Sequence, residues 1–472
     1  MIFNGIDLSP YLRIKEIHGR GISPSELTLI DVPAMDGAYY SQKRRPPRVI
    51  EIEADIRASN REELRTKLDQ LNAILDVNQP VPIVFPDEPG MIYYGIPEST
   101  GEGNEYTFLH QGQLTIICPD PYKYGDEVIV EFPSDVVTVT NEGTTEADPV
   151  FELEVLEPVT FAMIQNQNNE YMMIGKPVDL EEETPFERDE LLFHDDMSTT
   201  VGWTDATEID GTPAGSMESN GVRFEPVSFG SGTGWHGPAM KTSVPEVLTD
   251  FRMDAIVGFW NSTPNIVGRV EIYLLDEQNR AVCKIAIKDT LNSRSLGWGE
   301  ARLGDNQVNY YMIDEFGDQP GNWNDFYGML RFERVGNRWS AYIAKIDQTT
   351  GRHHTRRSVI WPDNDEVFTR NVAQVVVHFG QYDSHTTGAM GVYDIKIWKI
   401  NQGQSYEVPY IAYPEDIITF DHVNKDLLIN GESRKDLKNF GAKFFTLKKQ
   451  ENQLVVHPSA FNTTLRYRTR FK

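Results

Sequence analysis

All eight tryptophans of this 472-residue chain fall between Trp203 and Trp398. On either side of that window the sequence reads as plain strand patterning, and the pattern that stops near residue 190 resumes only near residue 405. A chain whose aromatic chemistry switches on and off in this way is most simply read as one sheet domain cut in two by an inserted domain with its own core. The acidic, non-periodic run EEETPFERDE just before the window reads as a linker.

Composition narrows the choices. The length corresponds to roughly three domains of about 150 residues each, and 39% hydrophobic with 11% aromatic residues is enough to fill their cores. A formal net charge of -27 repels a phosphate backbone or an anionic membrane surface. The start, MIFNGIDLSPYL, has no basic region followed by a long apolar run, so no secretory signal is expected there. No apolar run reaches the ~18 residues a membrane helix needs. Cys118 and Cys283 are too few and too far apart for a disulfide framework or a zinc cluster, and no cofactor or metal motif is recognised.

Residues 1–135 read as a small α+β domain. RVIEIEADIR alternates Ile50, Ile52, Ala54 and Ile56 with charged residues, the period of a strand with one buried face. Ser59 and Glu62 form a predicted capping box, followed by Leu64, Leu68, Leu71 and Leu75 at helical spacing. MDGAYYSQKRRPP supplies a glycine turn and a basic tip that predicts a projecting arm, in which Lys43, Arg44 and Arg45 form either a solvated turn or a subunit contact. Residues 136–190 begin a second sheet domain, with Phe151, Leu153 and Val155 on one face of a strand. Residues 403–472 complete it, through DIITFDHVNKDLLINGE and a final strand in which Leu465, Tyr467, Thr469 and Phe471 share a face.

FNGIDLSPYL, the MDG turn, the strand and capped helix, FPDEPGMIYYG and CPDPYKYG occur in an order that resembles the siphophage distal tail protein family. TNEGTTEADPVFEL, DLLINGE, GAKFFTLKKQENQL and YRTRF are similar to the two halves of that family's galectin-like β sandwich. The resemblance implies a virion protein of the tail tip, made and assembled in the host cytoplasm. Its N-terminal domains would close a homo-hexameric ring between tail tube and baseplate, beside the tail tube protein, a tail-associated baseplate protein and the tape measure protein. DNA would pass through the channel without specific binding, and nothing would insert into a membrane. An insertion in the second domain of this family is often a carbohydrate-binding module, here one for host cell-wall saccharide.

Within the window, residues 191–402, strand signals alternate with Gly, Asn and Asp turns and no helix, which predicts an all-β sandwich. ERVGNRWSAY is the clearest hairpin, with Gly336 and Asn337 at its tip. FHDDMSTTVGW and YDIKIWKI resemble the first and last strands of concanavalin-like jelly rolls, which pair in that fold. The predicted fold class is therefore mainly β: an α+β ring domain with one helix, a discontinuous galectin-like sandwich, and an inserted jelly roll.

An indole offers a flat, rigid surface for the C–H face of a pyranose, so the position of each tryptophan decides its reading. Trp260, Trp339 and Trp398 lie in strand-like runs and are assigned to the core. Trp235, Trp298 and Trp323 sit among Gly, Pro and Asn in loops, where sugar contact and loop packing both remain open; Trp361 is similar. His236, Tyr310, Tyr311, Asn322, Asn324 and Tyr382 are candidate bonding neighbours. The run Arg352, His353, His354, Arg356 and Arg357 is either a solvated loop or a contact for an anionic polymer.

Concanavalin-like folds include retaining glycosidases, whose two carboxyl groups stand about 5–5.5 Å apart. The expected Glu-x-Asp-x-x-Glu strand is approached at Glu208 and Asp210, but Thr212 and Pro213 stand where the second glutamate belongs, and IDEFGD at 313–318 does not supply it. The expectation is a binding module without catalytic residues. A purely structural insert, or a wall hydrolase with an unrecognised carboxylate pair, is the alternative.

Overall fold

The computed structural model describes residues 1–33, 36–179 and 181–472. Ala34 and Met35, the latter part of the predicted MDG turn, and Leu180 in the linker lie outside the described residues. Among the described residues, the helices are Arg61–Leu75 and a short 3-10 turn at Lys435–Leu437.

In the first part, strand Arg48–Arg57 is flanked by Arg13–His18 and Leu109–Cys118. The sheet continues through Ile92–Tyr106 and Val81–Val84 to Ile2–Phe3. The helix covers it, burying Leu64, Leu71 and Leu75 against Phe3, Ile50, Ile52, Phe85 and Tyr93. Its cap falls one residue later than predicted: Asn60 Oδ1 accepts from the Glu63 N–H (2.9 Å), while the Glu63 carboxylate accepts from the Ser59 N–H (2.8 Å). Asparagine is as good an N-cap as serine, so Asn60 takes the cap, and Glu63 reaches back one residue past it to the Ser59 N–H. The predicted arm is a separate two-stranded ribbon, Glu26–Asp31 with Ala38–Arg44. Its Leu27, Leu29, Ile30, Tyr39 and Tyr40 are all more than half exposed.

The two flanks of the window interleave in a β sandwich. In one of its sheets the final strand, Phe461–Phe471, lies between Lys123–Glu131 and Val150–Val155. In the other, Gln450–His457 lies between Val136–Asn141 and Phe161–Asn166. Phe151, Leu153, Ile164, Phe420, Leu454 and Leu465 share one core. Sequence-distant halves thus form one hydrophobic unit, so neither is a sandwich without the other. Strand Lys123–Glu131 also touches the first part, through Tyr124 opposite Ile92, making one continuous sheet of the two.

His422 is buried in this sandwich among the rings of Phe151, Phe444 and Phe445 at 5.4, 5.3 and 4.7 Å. Burial, above all, pushes its imidazole down from the ordinary 6.5 to about 4. A folded value below the unfolded one means that the stabilisation is complete above about pH 6.5 and is lost as pH falls toward about 4. The gap corresponds to roughly 3 kcal/mol when fully titrated. Chemical denaturation from about pH 7 to about pH 4 is expected to show this loss, and His422→Phe to remove most of it; an unchanged pH profile in the variant would assign the loss elsewhere.

The inserted window forms two antiparallel sheets. One runs Phe224–Ser228, Met390–Ile400, Phe251–Phe259, Phe326–Val335, Arg338–Ile346 and His353–Pro362. The facing sheet runs Ala239–Leu248, Val372–Tyr382, Gly268–Leu275, Ala281–Asp289, Trp298–Gly304 and Asn309–Glu315. Phe251, Phe259, Ile272, Ile285, Phe332, Trp339 and Val377 fill the space between them. As predicted, the first strand, Asp189–Asp195, pairs with the last, from Asp189 opposite Ile400 to Asp195 opposite Ile395. The run read as a linker contains a short strand, Thr184–Phe186, paired in parallel with Glu407–Pro409, which brings the chain into and out of the window side by side. Trp260 and Trp398 are half-buried and not core residues. Trp398 follows the inward Ile397, so the period of two turns it outward, under the Arg252 guanidinium at 4.2 Å.

Ion pairs seat the insert on the sandwich. Arg331 bonds Asp254 on its own sheet (2.7 Å) and Glu432 across the boundary (2.9 Å). Arg352 reaches Asp421 (3.2 Å) and Asp426 (2.8 Å), and the His353 N–H donates to the Gly431 carbonyl (3.0 Å). The basic run is therefore neither a solvated loop nor open to a polymer at Arg352 and His353.

Candidate functional site

The inward residues of the second sheet leave the alternate positions for its outer face. On Gly268–Leu275, Val270, Ile272 and Leu274 enter the core, so Arg269, Glu271 and Tyr273 point out. The same rule turns out Lys284 and Lys288 on the next strand, then Trp298, Glu300 and Arg302 on the one after. Register aligns them in rows: His378, Glu271, Ala286, Glu300 and Asp314 in one, and Val376, Tyr273, Lys284, Arg302 and Tyr311 in the next. Five antiparallel strands thus assemble a face of charges that are far apart in sequence.

The charges are paired. Lys284 is 2% exposed and contacts Glu300, Asp210 (2.8 Å) and Glu271 (3.3 Å). Arg302 holds Asp210 through both terminal nitrogens, at 2.7 and 3.3 Å. His378 Nδ1 lies 2.7 Å from Glu271 Oε2, which also accepts from the Tyr273 hydroxyl (2.6 Å). Burial acts to raise the Glu271 carboxyl, but the charges of Lys284 and Arg269 and the His378 hydrogen bond outweigh it and hold the group well below the usual carboxylate range. For Lys284, burial is outweighed by Glu271, Glu300 and Asp210, and the ammonium is held above its ordinary range. Asp210 is likewise lowered, burial being overcome by Lys284 and Arg302. A retaining glycosidase needs one carboxyl group kept protonated beside one that is ionised. Here a lysine stands between Glu271 and Glu300, and Glu271 is held ionised.

At the edge of this face lies a cleft of about 260 Å³, lined by Lys288, Thr290, Leu291, Leu296, Trp298 and Asp314. Trp298 is half-buried and donates its Nε1–H to Asp314 Oδ1 (2.6 Å), with the Phe316 ring edge-on at 5.5 Å. An indole beside apolar walls and a carboxylate acceptor offers what one sugar unit requires: a surface for its C–H face and partners for its hydroxyls.

The candidates read from the sequence do not form one site. Trp298 lines the cleft, and Tyr311 lies on the outer face opposite Arg302. Trp235 and Tyr382 pack edge to face at 5.2 Å at another end of the face, Trp235 with the Arg269 guanidinium 3.6 Å over its ring; His236 is buried, its Nδ1 3.0 Å from the Gly234 carbonyl oxygen. Tyr310 and Trp361 stack at 4.4 Å where the edges of the two sheets meet. Trp323 lies in a loop, as read, but takes the packing alternative and not the sugar-contact one: it is 1% exposed, belongs to the core, and donates Nε1–H to the Thr355 carbonyl (2.8 Å). Asn324 is structural as well, accepting from the Gly297 N–H (2.7 Å), and Asn322 is half-buried beside Trp323. Lys288, Thr290 and Asp314, which line the cleft, were missed, as were Arg269, Glu271, Lys284, Glu300 and Arg302. The available signal was charge at every second position inside GRVEIYLL, AVCKIAIKD and WGEARLG. One group among the described residues has metal-ligand geometry, Glu16, His18 and Glu53, exposed on the first part of the chain and remote from this face.

Comparison with known proteins gives the class first. Residues 6–118 match the phage tail protein RIFT-related domain, and residues 383–471 match the C-terminal domain of a siphovirus-type tail component. Both flanks are thus similar to domains of long-tailed-phage tail proteins. The chain is 33% identical over 150 residues to the distal tail protein of Bacillus phage SPP1, a match spanning 32% of this chain and 59% of that relative's length. These matches place the two flanks in the siphophage distal tail protein family. The second match begins at residue 383, ahead of Met390–Ile400, which the pairing gives to the insert. Among solved structures, that of SPP1 Dit, titled a paradigm of hub adsorption apparatus in Gram-positive-infecting phages, shares 27% identity over 37% of this chain and 73% of its own, with a TM-score of 0.35. The CBM2 module of the evolved Dit of Lactobacillus casei BL23 phage J-1 shares 16% identity over 46% of this chain and 99% of its own, with a TM-score of 0.40.

Proposed function

We propose that this chain is the distal tail hub of a long-tailed phage, and that its insert binds host cell-wall saccharide during adsorption without cleaving it. The part up to about residue 120 closes a homo-hexameric ring between tail tube and baseplate, Lys123–Glu131 with the segments up to about residue 188 and from about residue 403 forms the projecting sandwich, and the segment from Asp189 to about residue 402 forms the binding module. The carrying observation for binding is the Trp298 cleft, where an indole, apolar walls and carboxylate and hydroxyl groups converge on a space the size of a sugar unit. Lys284 between Glu271 and Glu300 supports binding over hydrolysis, because it occupies the space between the two carboxylates and its charge helps hold Glu271 ionised.

The arm supports the ring. An isolated two-stranded ribbon is marginal in water, and this one exposes five large apolar side chains, Leu27, Leu29, Ile30, Tyr39 and Tyr40. A neighbouring copy that covers them would bring Lys43, Arg44 and Arg45 into the same contact, with Arg44 already oriented by Glu26 at 2.7 Å. The acidic chain would line a channel that DNA does not adhere to. The tail tube, tape measure and tail-associated baseplate proteins would be its neighbours.

Electron microscopy of the purified chain, and of a deletion joining residue 190 to residue 403, tests the arrangement. Open six-membered rings, single or stacked, are expected from both, with adhesion to host walls only from the full chain. Monomers at high concentration would overturn the ring, loss of all soluble deletion product the modular division, and sugar release from purified wall the non-catalytic reading.

A further inference from the structure

Resting on the saccharide-binding reading of the same face, we propose that the polymer bound by the insert is an uncharged glycan held through its hydroxyl groups, and not one bearing phosphates or carboxylates. Among the described residues, every outward lysine and arginine on the strands of the second sheet is engaged by a carboxylate, and the exposed Arg294 of the loop between two of those strands lies outside this network. Lys284 contacts Asp210, Glu271 and Glu300. Arg269 bonds Glu271 at 3.2 Å, and Lys288 bonds Glu300 and stands 3.7 Å from Asp314. Asp210 is the most telling. It comes from the segment preceding this sheet, its backbone N–H tied to the Tyr273 hydroxyl (3.1 Å), and sets its carboxylate on Arg302 and Lys284. That is the two-pronged contact by which an arginine would take a uronate or a phosphate. The anion position is filled from within the chain. An incoming anion would have to expel Asp210 from two buried cations, and do so on a chain of formal charge -27.

The groups that remain for a ligand have the opposite character. In the cleft, the Asp314 side chain is 47% exposed, and its Oδ1 accepts from Trp298, so the carboxylate still has acceptor capacity for a ligand hydroxyl. The Thr290 hydroxyl both donates and accepts, while Leu291 and Leu296 present apolar surface. Such a lining complements the hydroxyls and C–H face of a neutral pyranose, and its carboxylate repels a phosphate. Of the run that offered an anionic polymer a foothold, Arg352 is bound to Asp421 and Asp426 and Arg357 to Glu315 (2.9 Å), which leaves His354 and Arg356 exposed at a place apart from the cleft.

Two probes prepared from the wall of one host strain decide the matter: its neutral polysaccharide fraction and its teichoic acid fraction. Each is titrated calorimetrically into the purified full-length chain at about 50 mM and about 500 mM salt. The expected result is binding of the neutral fraction, with an affinity that changes by less than about twofold between the two salts, and no heat from teichoic acid at either. Binding of teichoic acid, weakening about tenfold or more at the higher salt as a charge-driven contact must, would overturn the ligand class and leave the saccharide-binding reading standing. Heat from neither fraction would overturn both.

Discussion

Trp323→Ala is expected to destabilise the inserted jelly roll by about 3–5 kcal/mol, the cost of emptying a fully enclosed aromatic position. The indole is 1% exposed and sits between the two sheets with Phe326, Ile343 and Ala301. It lies so close over Gly299 that a Cβ there would come within 2.4 Å of its ring, so strand Trp298–Gly304 is built around it. Its Nε1–H satisfies the Thr355 carbonyl, and truncation would leave that group without its partner as well as opening a cavity. A chain of several cores does not unfold in one step, so a global transition is the wrong measurement. Tryptophan fluorescence is the right one, because all eight tryptophans lie between Trp203 and Trp398 and report only on the insert. Denaturant titration by this signal should show the midpoint falling sharply, with the sandwich transition seen by circular dichroism almost unmoved. A loss below about 1 kcal/mol would mean that the loop collapses onto the space and that the indole is not a keystone.

Trp323 also marks where the sequence misleads. PGNWNDF has every sign of a surface loop, and the backbone of that stretch does turn there, with Gly321 at φ +87° and Asp325 at +48°. What local composition does not encode is that a loop at the end of a two-sheet sandwich can fold back and close the core with its largest side chain. The strand order was more legible. The pairing of Asp189–Asp195 with Met390–Ile400 was legible through the resemblance of FHDDMSTTVGW and YDIKIWKI to the first and last strands of concanavalin-like jelly rolls, although the first strand begins four residues before that motif. Gly336 and Asn337 declared their hairpin through turn chemistry alone. The charged face was not legible for a different reason. Alternate charges in a strand ordinarily mean a solvated face, and only the three-dimensional register shows Glu271, Lys284 and Glu300 meeting side by side under cover. Sequence spacing sought the catalytic pair along one strand, whereas the carboxylates that meet come from two strands, with a lysine between them.

Trp298→Ala carries the opposite expectation: little loss of stability and a large loss of adhesion. The side chain is half-exposed, outside the core, and its one hydrogen bond goes to Asp314, a group that water can satisfy in its place. Removing it should cost the fold no more than about 1 kcal/mol. A sugar ring stacked on the indole would contribute on the order of 1 kcal/mol at each site, by analogy with aromatic pairs. One site on a single chain would therefore weaken by only about fivefold. On a ring the same loss is taken at every engaged copy, and since later contacts form intramolecularly, adhesion of the assembly should fall by roughly 10² or more. Retention of fluorescent particles on host cells, measured beside the affinity of the same ring for a short soluble wall oligosaccharide that reaches only one site, tests that relation. The expected result is a modest monovalent loss with a much steeper loss for the assembly. Parent-like adhesion from the Trp298→Ala ring would remove the cleft from the binding surface and leave the Trp235 and Tyr382 end of the same face as the place to look.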